Sequence, residues 1–248
     1  MKLYRDYAKG DWLDILSLHV HQVPKSMIIH GEWEPHENLK YWTHFFGEKA
    51  ILPKWNTVIG SYKDRMIGFS NVYGSPMAAN IVHQFGGAGT DLFIQSGYIG
   101  GLSDEIKYGD IIIVSEVELG EGVSKQYAPH FRTLKTKSEL VQMAVMFCEQ
   151  ENIRYHVGKI HSTSSLLVET EEDITNWSKD GCLGVEMECG TTFAVAASFN
   201  KRAIGLFQIS DHLIHGDSVF FSNEERDFIE RETDEVIRKI ALYLAEKG

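Results

Sequence analysis

The chain has 248 residues, and its 35 Asp and Glu against 24 Lys and Arg give a formal net charge of -11 at neutral pH. This acidic balance disfavours a nucleic-acid backbone or an anionic membrane as partner and favours a small-molecule ligand. The three cysteines form no CxxC pair, the N-terminus has no apolar signal core and no stretch approaches ~20 apolar residues, so we expect a soluble, cytoplasmic protein.

The N-terminal segment, residues 1–24, is polar and is predicted to form an arm ahead of the first strand. It carries two histidines near its end, His19 and His21. An isolated histidine is usually a surface residue, so these two acquire a role only if the site of another subunit lies nearby.

A first strand is predicted at 26–30, and after Gly31 the chain enters a loop that leads to an amphipathic helix. The ionisable side chains of this loop are Glu32, Glu34 and His36. The helix is expected to turn three aromatic residues inward: Trp42, Phe45 and Phe46. A glycine turn between strand and helix can bind an anion through free N–H groups, but the acids beside this one weaken that use.

Strand and helix patterns alternate through the middle of the chain. Strands are predicted at 57–62, 65–71, 91–95, 110–117 and 155–160. Helices are predicted from Pro76 to the glycines at 86–89 and over 137–152. The strand that ends at Gln95 runs into a glycine-rich turn over 96–102, where the backbone can approach a ligand closely. The polar connection over 118–137 is long enough to be a site loop.

The main candidate catalytic residues lie between positions 184 and 211, where acidic side chains flank an apolar segment. Glu186 and Glu188 precede an apolar helix, and Asp211 follows a buried strand predicted at 203–209. In open α/β sheets ligands bind beyond the carboxyl ends of strands, which is where Asp211 emerges. An unpaired charge beside apolar segments is costly, so we expect the three acids to form a site. For an isolated Ser-Asp pair, a helix cap or a solvated turn is the simpler interpretation.

The C-terminal half completes the alternating pattern. Helices are predicted at 170–179, at 192–199 and from a capping box of Ser222 and Glu225 to about 245, with Phe228, Val236, Ile240 and Leu244 on the apolar side of the last one. No repeat, linker or low-complexity tract divides the chain, so we predict one α/β domain over 1–248 with a mixed sheet. HExxH and P-loop patterns are missing, and no metal site is predicted.

Three blocks together resemble the nucleoside phosphorylase and nucleosidase superfamily, which includes purine nucleoside phosphorylase, uridine phosphorylase and methylthioadenosine/S-adenosylhomocysteine nucleosidase. These blocks are Val185-Glu186-Met187-Glu188, Ile209-Ser210-Asp211 and the glycine-rich segment 96–102. The resemblance extends from about residue 26 to the C-terminus. It implies a single α/β domain with a twisted mixed sheet flanked by helices, and an enzyme that breaks the bond between ribose and base.

The resemblance also implies roles for individual residues. Glu188 would hold the ribose 2′-hydroxyl, Met187 would pack under the sugar, and Asp211 would protonate N7 of a purine. Chemistry supports these roles, because loss of the base leaves an oxocarbenium-like sugar that a carboxylate stabilises, and a carboxylic acid can protonate the leaving group. The other residues expected at the substrate are Val185, Glu186, Ser210, Leu166, Gln95, Gly97 and Tyr98. For Glu186 a structural role is the alternative, because two glutamates so close together rarely both face the sugar.

The sequence allows either phosphate or water as the acceptor of the ribosyl group. Phosphorylases of this family hold phosphate with arginines, and here Gln95 stands at one such position while Tyr98 replaces a serine or threonine. Lys54 from a neighbouring subunit is the remaining cationic candidate, and Gly31 could contribute an N–H group. Nucleosidases of the family activate water with a glutamate after the first strand, a role open to Glu32 or Glu34. Phosphate would then be a co-substrate in the first case only, and no cofactor is expected in either.

The resemblance also bears on the base of the substrate and on the subunit partners. The segment 168–177 lacks the glutamine and arginine with which uridine phosphorylases bind uracil, so a purine is favoured, with Leu166 in place of the usual stacking aromatic. The arm and the apolar, aromatic segment around Trp42 and Trp55 predict a homo-oligomer, dimer to hexamer. The resemblance implies that His19 or His21 of the arm reaches the ribose of a partner. The alternative is a weakly catalytic or non-catalytic nucleoside-binding or storage protein on the same fold. Loss of the arginines favours that alternative, whereas retention of Glu188 and Asp211 opposes it.

Overall fold

The computed structural model describes residues 2–248, so only Met1 of the predicted arm lies outside the described residues. Ten strands in this part of the chain form one mixed sheet. The strands are β1 Ser26–Gly31, β2 Ile51–Lys54, β3 Thr57–Tyr62, β4 Arg65–Val72, β5 Leu92–Gly101, β6 Ile111–Leu119, β7 Thr133–Lys135, β8 Tyr155–Ser162, β9 Cys182–Glu186 and β10 Arg202–His212. The α-helices are α1 Lys9–Leu16, α2 His36–Phe46, α3 Ser75–Ala88, α4 Gly122–Tyr127, α5 Ser138–Gln150, α6 Glu171–Lys179, α7 Cys189–Ser198 and α8 Glu224–Lys247.

Strand β5 is the junction of the sheet. It runs parallel to β1 on one side and to β10 on the other, and its last two residues also pair with β9. The strand order is β10-β6-β8-β9-β5-β1-β4-β3-β2, and the additional pairing of β10 with β5 closes five strands into a ring. Because β1, β5 and β10 are parallel, their carboxyl ends meet at one edge, where α/β proteins bind ligands.

Helices cover both faces of the sheet. Phe93 of β5 points into an apolar cluster with α1, α3 and α7, whereas its neighbours Leu92 and Ile94 point into a second cluster with α2, α5 and α8. All six residues from 92 to 97 are buried, as expected for a central strand covered on both sides. The predicted α/β fold with a mixed sheet flanked by helices is therefore confirmed.

The prediction of a glycine-rich turn over 96–102 is wrong, because β5 continues as a strand to Gly101. The extension is stabilised by β9 and β10, which both hydrogen-bond to its final residues. The predicted close approach of backbone occurs instead between strands. Gly97 has a φ of +146°, and a Cβ there would lie 2.9 Å from the carbonyl oxygen of Gly31 on β1.

The connection over 118–137 is more ordered than the sequence indicates. It contains helix α4 and the short strand β7, which pairs with β6. The carboxylate of Glu121 caps α4 by accepting the N–H groups of Val123 at 2.6 Å and Ser124 at 2.9 Å. The prediction that this segment is a loop of the main site is wrong, because none of its residues borders the cavity described below.

Three smaller predictions also need correction. Phe45 on α2 and Phe228 on α8 are 37% and 57% exposed and do not face the core. Helix α8 is capped by Asn223, whose side chain accepts the N–H of Arg226 at 3.0 Å, and not by Ser222. Strand β2, which the sequence analysis missed, contains Pro53 and lies at the edge of the sheet, where a missing N–H is tolerated.

The N-terminal arm packs against the domain and is not wholly polar. Helix α1 buries Trp12 and Leu16, and Trp12 contacts the ring of His83 on α3 with centroids 5.2 Å apart. His19 and His21 are exposed, and their rings stack at 5.7 Å. The arm is thus held by apolar contacts, while its two histidines face outward.

Within residues 2–248, no helix is long and apolar enough to cross a membrane. No group of three or more His, Cys, Asp or Glu side chains in that range is arranged to hold a metal ion.

Candidate active site

A cavity of about 450 Å³ opens at the edge of the sheet where β1, β5 and β10 end. A volume of this size accommodates a small ligand. Ten of the predicted site residues border it: Gly31, Glu32, Tyr98, Leu166, Val185, Glu186, Met187, Glu188, Ser210 and Asp211. The structure therefore brings together segments that lie as much as 180 positions apart in the chain.

Glu188 lies at the start of α7 and is held from two sides. Its Oε1 accepts the N–H of Gly74 at 2.5 Å. Its Oε2 lies over the end of β1, where a Cβ on Gly31 would come within 2.8 Å of it and would displace the carboxyl. Burial, and then the charge of Glu186, raise the pKa of Glu188. The carboxyl is thus poised to be ionised when a positive charge develops beside it.

Glu186 is fully engaged by the protein. Its Oε2 accepts the N–H groups of Glu188 at 2.7 Å and Cys189 at 2.6 Å, and the hydroxyl of Ser162 donates to its Oε1. These N–H groups belong to the first turn of α7, where a carboxylate is favourable. The structural alternative therefore fits Glu186 better than substrate binding, although its side chain borders the cavity.

Asp211 follows a bulge in β10, because the pairing with β5 shifts register between Ile209 and Asp211. Bulges of this kind redirect a side chain, and this one directs Asp211 to the cavity. Its Oδ1 accepts the hydroxyl of Ser210 at 2.6 Å. Burial raises the pKa of Asp211, and the Ser210 hydrogen bond and the Arg226 charge oppose this rise without cancelling it. A carboxyl with these properties can carry a proton to a leaving group.

Arg226 on α8 anchors the loop that follows Asp211. Its guanidinium donates to the carbonyl oxygens of Ser210, of Phe221 at 3.3 Å and of Ser218 at 3.4 Å. Most of its donors are thus used by the main chain. Arg226 fixes the position of Asp211 and does not present a free guanidinium to an anion.

Beside Asp211 the cavity is bordered by Leu166 and Glu169. Leu166 begins a turn of 3₁₀-helix that continues to Val168. Burial, and then the charge of Asp211, raise the pKa of Glu169 to about 7. This end therefore combines an apolar surface with two carboxyl groups whose pKa values are raised, which suits a heteroaromatic ring with basic nitrogens.

At β1 the cavity ends in an acidic group of residues. Burial raises the pKa of Glu32, and burial followed by the charges of Asp234 and Glu32 raises that of Glu230 to about 7. The Tyr98 hydroxyl donates to Asp234 Oδ2 at 3.0 Å. His30 packs behind Tyr98 with ring centroids 5.5 Å apart, and burial lowers its pKa to about 3, so it supplies no positive charge.

The cavity wall is strongly acidic. Eight carboxyl side chains border it: Glu32, Glu169, Glu186, Glu188, Asp211, Asp217, Asp227 and Glu230. Within residues 2–248, Arg226 is the one lysine or arginine on this wall. Such a wall favours a neutral or cationic ligand over an anionic one.

Aromatic side chains form the mouth of the cavity. Trp33, after β1, stacks on Phe220, from the loop after β10, with centroids 5.9 Å apart and planes inclined by 10°. Tyr73 meets Trp33 edge-on at 6.4 Å. All three rings remain partly exposed and border the cavity. They offer flat apolar surface to a ligand that enters here.

Six predicted residues do not border this cavity in the single chain: Gln95, Gly97, Glu34, Lys54, His19 and His21. Gln95 is fully buried, and its Oε1 accepts the Thr192 hydroxyl at 2.6 Å, which ties β5 to α7. Lys54 lies on the edge strand β2, where partial burial lowers its pKa. The substrate-binding prediction for Gln95 is therefore wrong, because its amide faces the interior of the protein.

Helix α8 contributes site residues that no sequence pattern predicted. Arg226, Glu230 and Asp234 follow one another at intervals of four residues, so they lie on one face of the helix. That spacing was visible in the sequence. It was not singled out because no apolar motif marks this face as turned toward a site.

Comparison with known proteins supports these observations. Residues 33–245 match the family described as phosphorylase superfamily. A purine nucleoside phosphorylase of DeoD type from Clostridium beijerinckii is 32% identical over 144 residues, which are 56% of this chain and 58% of that relative. A guanosine phosphorylase from Halorubrum lacusprofundi is 28% identical over 175 residues, 69% of this chain and 70% of that relative. The chain thus aligns with little more than half the length of the first of these relatives.

Solved structures support the fold. The crystal structure of uridine phosphorylase from Vibrio fischeri ES114 superposes with a TM-score of 0.80, covering 94% of this chain and 96% of that one at 20% identity. At this identity the likeness establishes the fold alone. Since the family match covers most of the chain, the predicted resemblance is confirmed, and the protein belongs to the phosphorylase superfamily.

Proposed function

We propose that the protein cleaves the N-glycosidic bond of purine nucleosides. The observation that carries this proposal is that Glu188 and Asp211, two buried carboxyl groups with raised pKa values, border one cavity of nucleoside size. The names of the relatives, a purine nucleoside phosphorylase and a guanosine phosphorylase, support the same class of reaction.

Departure of the base is assisted by Asp211. As the bond between C1′ and N9 breaks, its electron pair moves onto the purine, and N7 takes the proton of Asp211. The raised pKa of Asp211 keeps this proton available, and the hydrogen bond from Ser210 fixes the carboxyl. Leu166 and Glu169 border the same end and would contact the base.

Glu188 stabilises the sugar. The ribose becomes positively charged at C1′ and O4′ in the transition state, and a carboxylate nearby lowers the energy of that charge. Burial raises the pKa of Glu188, so a developing positive charge on the sugar favours its ionisation. Gly74 and Gly31 fix the orientation of the carboxyl, and Met187 borders the cavity beside it.

Water fits the acceptor site better than phosphate does. The end of the cavity at β1 carries Glu32 and Glu230, and the nearby guanidinium of Arg226 is occupied by main-chain carbonyl oxygens. Water needs only a base, and Glu32 can accept its proton. We therefore propose hydrolysis, although the relatives are named phosphorylases.

The test is incubation of the protein with a panel of purine and pyrimidine nucleosides, with and without phosphate. We expect free purine and ribose to appear without phosphate, and pyrimidine nucleosides to be cleaved far more slowly. Products that form only with phosphate, as ribose 1-phosphate, would refute hydrolysis. Binding of nucleosides without any base release would instead identify a non-catalytic nucleoside-binding protein.

We also propose that the protein is a homo-oligomer. The edge strand β2 and the turn after it expose Leu52 and Trp55, which are 60% and 71% accessible, and Lys54 lies between them. Exposed apolar surface at a sheet edge favours association with another chain. Such an assembly would decide whether Lys54, His19 or His21 reaches a neighbouring cavity. Sedimentation at micromolar concentration should give at least a dimer, and a monomer would contradict the proposal.

Finally, we propose a cytoplasmic location. Cys148, Cys182 and Cys189 are all buried and free. Unpaired cysteines are typical of proteins made in reducing compartments. Fractionation of the source cells with an antibody to the protein tests this, and recovery in an extracellular fraction would refute it.

A further inference from the structure

Helix α8 presents a row of side chains to the cavity and to the strand end behind it. Arg226, Glu230 and Asp234 lie at successive intervals of four residues on one face. Arg226 holds the loop beside Asp211, whereas Glu230 borders the cavity. Glu230 and Asp234 thus lie toward β1, one and two helical turns beyond the guanidinium. This face of the helix is thus positive at Arg226 and acidic at Glu230 and Asp234, and Arg238 follows one turn later.

Asp234 is tied to the sheet from two strands. Its Oδ2 accepts the Tyr98 hydroxyl at 3.0 Å, and its Oδ1 accepts the Gln208 amide at 2.7 Å. The same amide donates to the carbonyl of Glu230 at 3.2 Å. Gln208 therefore sets the register of α8 against the sheet. Both Tyr98 and Glu230 are held in place by this arrangement.

We propose that Glu230 and Tyr98 determine the nucleophile: together with Glu32 they bind the attacking water and exclude phosphate, while Asp234 acts as a positioning residue for Tyr98. This inference rests on the proposed function and extends it to the choice of acceptor. Tyr98 and Glu230 border the cavity from β5 and α8, and Glu32 borders it from the loop after β1. Three elements thus surround the acceptor position with oxygen atoms.

The charge of phosphate distinguishes it from water as the acceptor of the ribosyl group. Phosphate carries about −1.5 to −2 near neutral pH, and here it would face Glu32 and Glu230, while the guanidinium of Arg226, one helical turn from Glu230, is occupied by main-chain carbonyl oxygens. His30, which packs behind Tyr98, is buried and neutral. Arg238, one turn beyond Asp234, donates to Asn38 and pairs with Glu235. Water is uncharged, and its protons can be accepted by the carboxylate oxygens. The same residues that repel the anion therefore orient the smaller nucleophile.

The reaction is balanced without any further reagent. The oxygen of water bonds to C1′, and the bond from C1′ to N9 breaks with its electron pair going to the base. One water proton passes to Glu32, and the proton of Asp211 passes to N7. Exchange with solvent returns Asp211 and Glu32 to their starting states. The net products are the free purine and ribose.

The test compares three variants with a matched control. Glu230→Gln keeps the shape of the side chain and removes its charge, Tyr98→Phe removes only the hydroxyl, and Asp234→Asn weakens the anchor of Tyr98. Glu232→Gln, on an exposed position of the same helix, makes the same charge change away from the cavity. Phosphate binding is measured by calorimetry, and base release is measured with saturating nucleoside.

For Glu230→Gln we expect phosphate to bind about tenfold or more tightly than to the wild type, because a like charge is removed. Its hydrolytic kcat should fall about tenfold, since one of the groups that orient water is weakened. Tyr98→Phe and Asp234→Asn should lower kcat to a similar extent while leaving KM for the nucleoside unchanged. A merely structural role for Asp234 would instead lower the melting temperature and change KM.

Equal phosphate affinity in Glu230→Gln and Glu232→Gln would overturn the inference, as would tight phosphate binding by the wild type. The calorimetric comparison needs no turnover, so it decides the exclusion of phosphate even if the wild type releases no base. Absence of base release from every nucleoside would refute the proposed function alone. If Glu230→Gln fails to fold, Glu230→Met serves as a second uncharged variant of similar length.

Discussion

The substitution Asp211→Asn tests the proton donor most directly. Asparagine has almost the shape of aspartate, and its amide oxygen can still accept the Ser210 hydroxyl that now donates to Asp211 at 2.6 Å. Arg226 is bound mainly to main-chain carbonyls, so the loop after β10 should keep its position. The substitution therefore removes the acidic proton and leaves the surrounding structure intact.

A positioned general acid contributes roughly 10²–10⁴-fold to a rate, which corresponds to about 3–5 kcal/mol of transition-state stabilisation. We expect Asp211→Asn to lose kcat within this range on adenosine, guanosine or inosine, with little change in KM. Base release is followed by the change in ultraviolet absorbance. Far-ultraviolet circular dichroism and the melting temperature check that the variant is folded.

An N7-methylated purine nucleoside provides the matched control substrate. Its base already carries a positive charge and needs no proton in order to leave, so Asp211→Asn should cleave it at nearly the wild-type rate. Loss of activity on both substrates would point to a binding or folding defect. Undiminished cleavage of the unmethylated nucleoside would remove Asp211 from the mechanism.

Three further predictions concern the packing around the site. Glu186→Ala should destabilise the fold by about 3 kcal/mol, because it leaves two N–H groups of α7 and the Ser162 hydroxyl without their acceptor; an unchanged denaturation midpoint would contradict this. Gly31→Ala should reduce kcat/KM at least tenfold, since the added methyl would displace the Glu188 carboxyl. An unchanged kcat/KM in steady-state kinetics would mean that the carboxyl can move without loss of activity. The pKa values of Glu169 and Glu230 are raised to about 7 in the folded protein, so the folded state binds protons that the unfolded chain has already lost above about pH 4.5. The free energy of unfolding should therefore fall as pH rises from about 5 to 7, and replacing both residues by glutamine should flatten this slope in urea titrations.

Much of the fold and part of the site could be predicted from local patterns. The strand at β1, the hairpin of β3 and β4, and the apolar helix between Glu188 and Asp211 are marked by short-range periodicity, which depends on neighbouring residues alone. The two carboxyl groups at the ends of that apolar unit are predicted to form a site because an unpaired charge beside a buried segment costs free energy. Their placement on one cavity agrees with this expectation.

Local sequence patterns gave wrong predictions where pairing with distant strands determines the structure. The glycine-rich segment of β5 has the composition of a turn, yet it is a strand because β9 and β10 supply hydrogen bonds from 80 or more positions away. Gln95 was expected at the substrate by position, but its amide is used to bind Thr192 inside the core. In both cases the tertiary partner outweighs the local preference.

The sequence by itself determined the family, the order of the elements and the two principal acids, because these depend on motifs and periodicities written along the chain. The tertiary structure alone decided which residues face the acceptor. Glu32, Tyr98 and Glu230 come from three separate elements and share no motif, and they meet only because β1 and β5 are adjacent and α8 packs across their ends. Burial and charge in that space, which exist only after folding, raise the pKa values of Glu32 and Glu230.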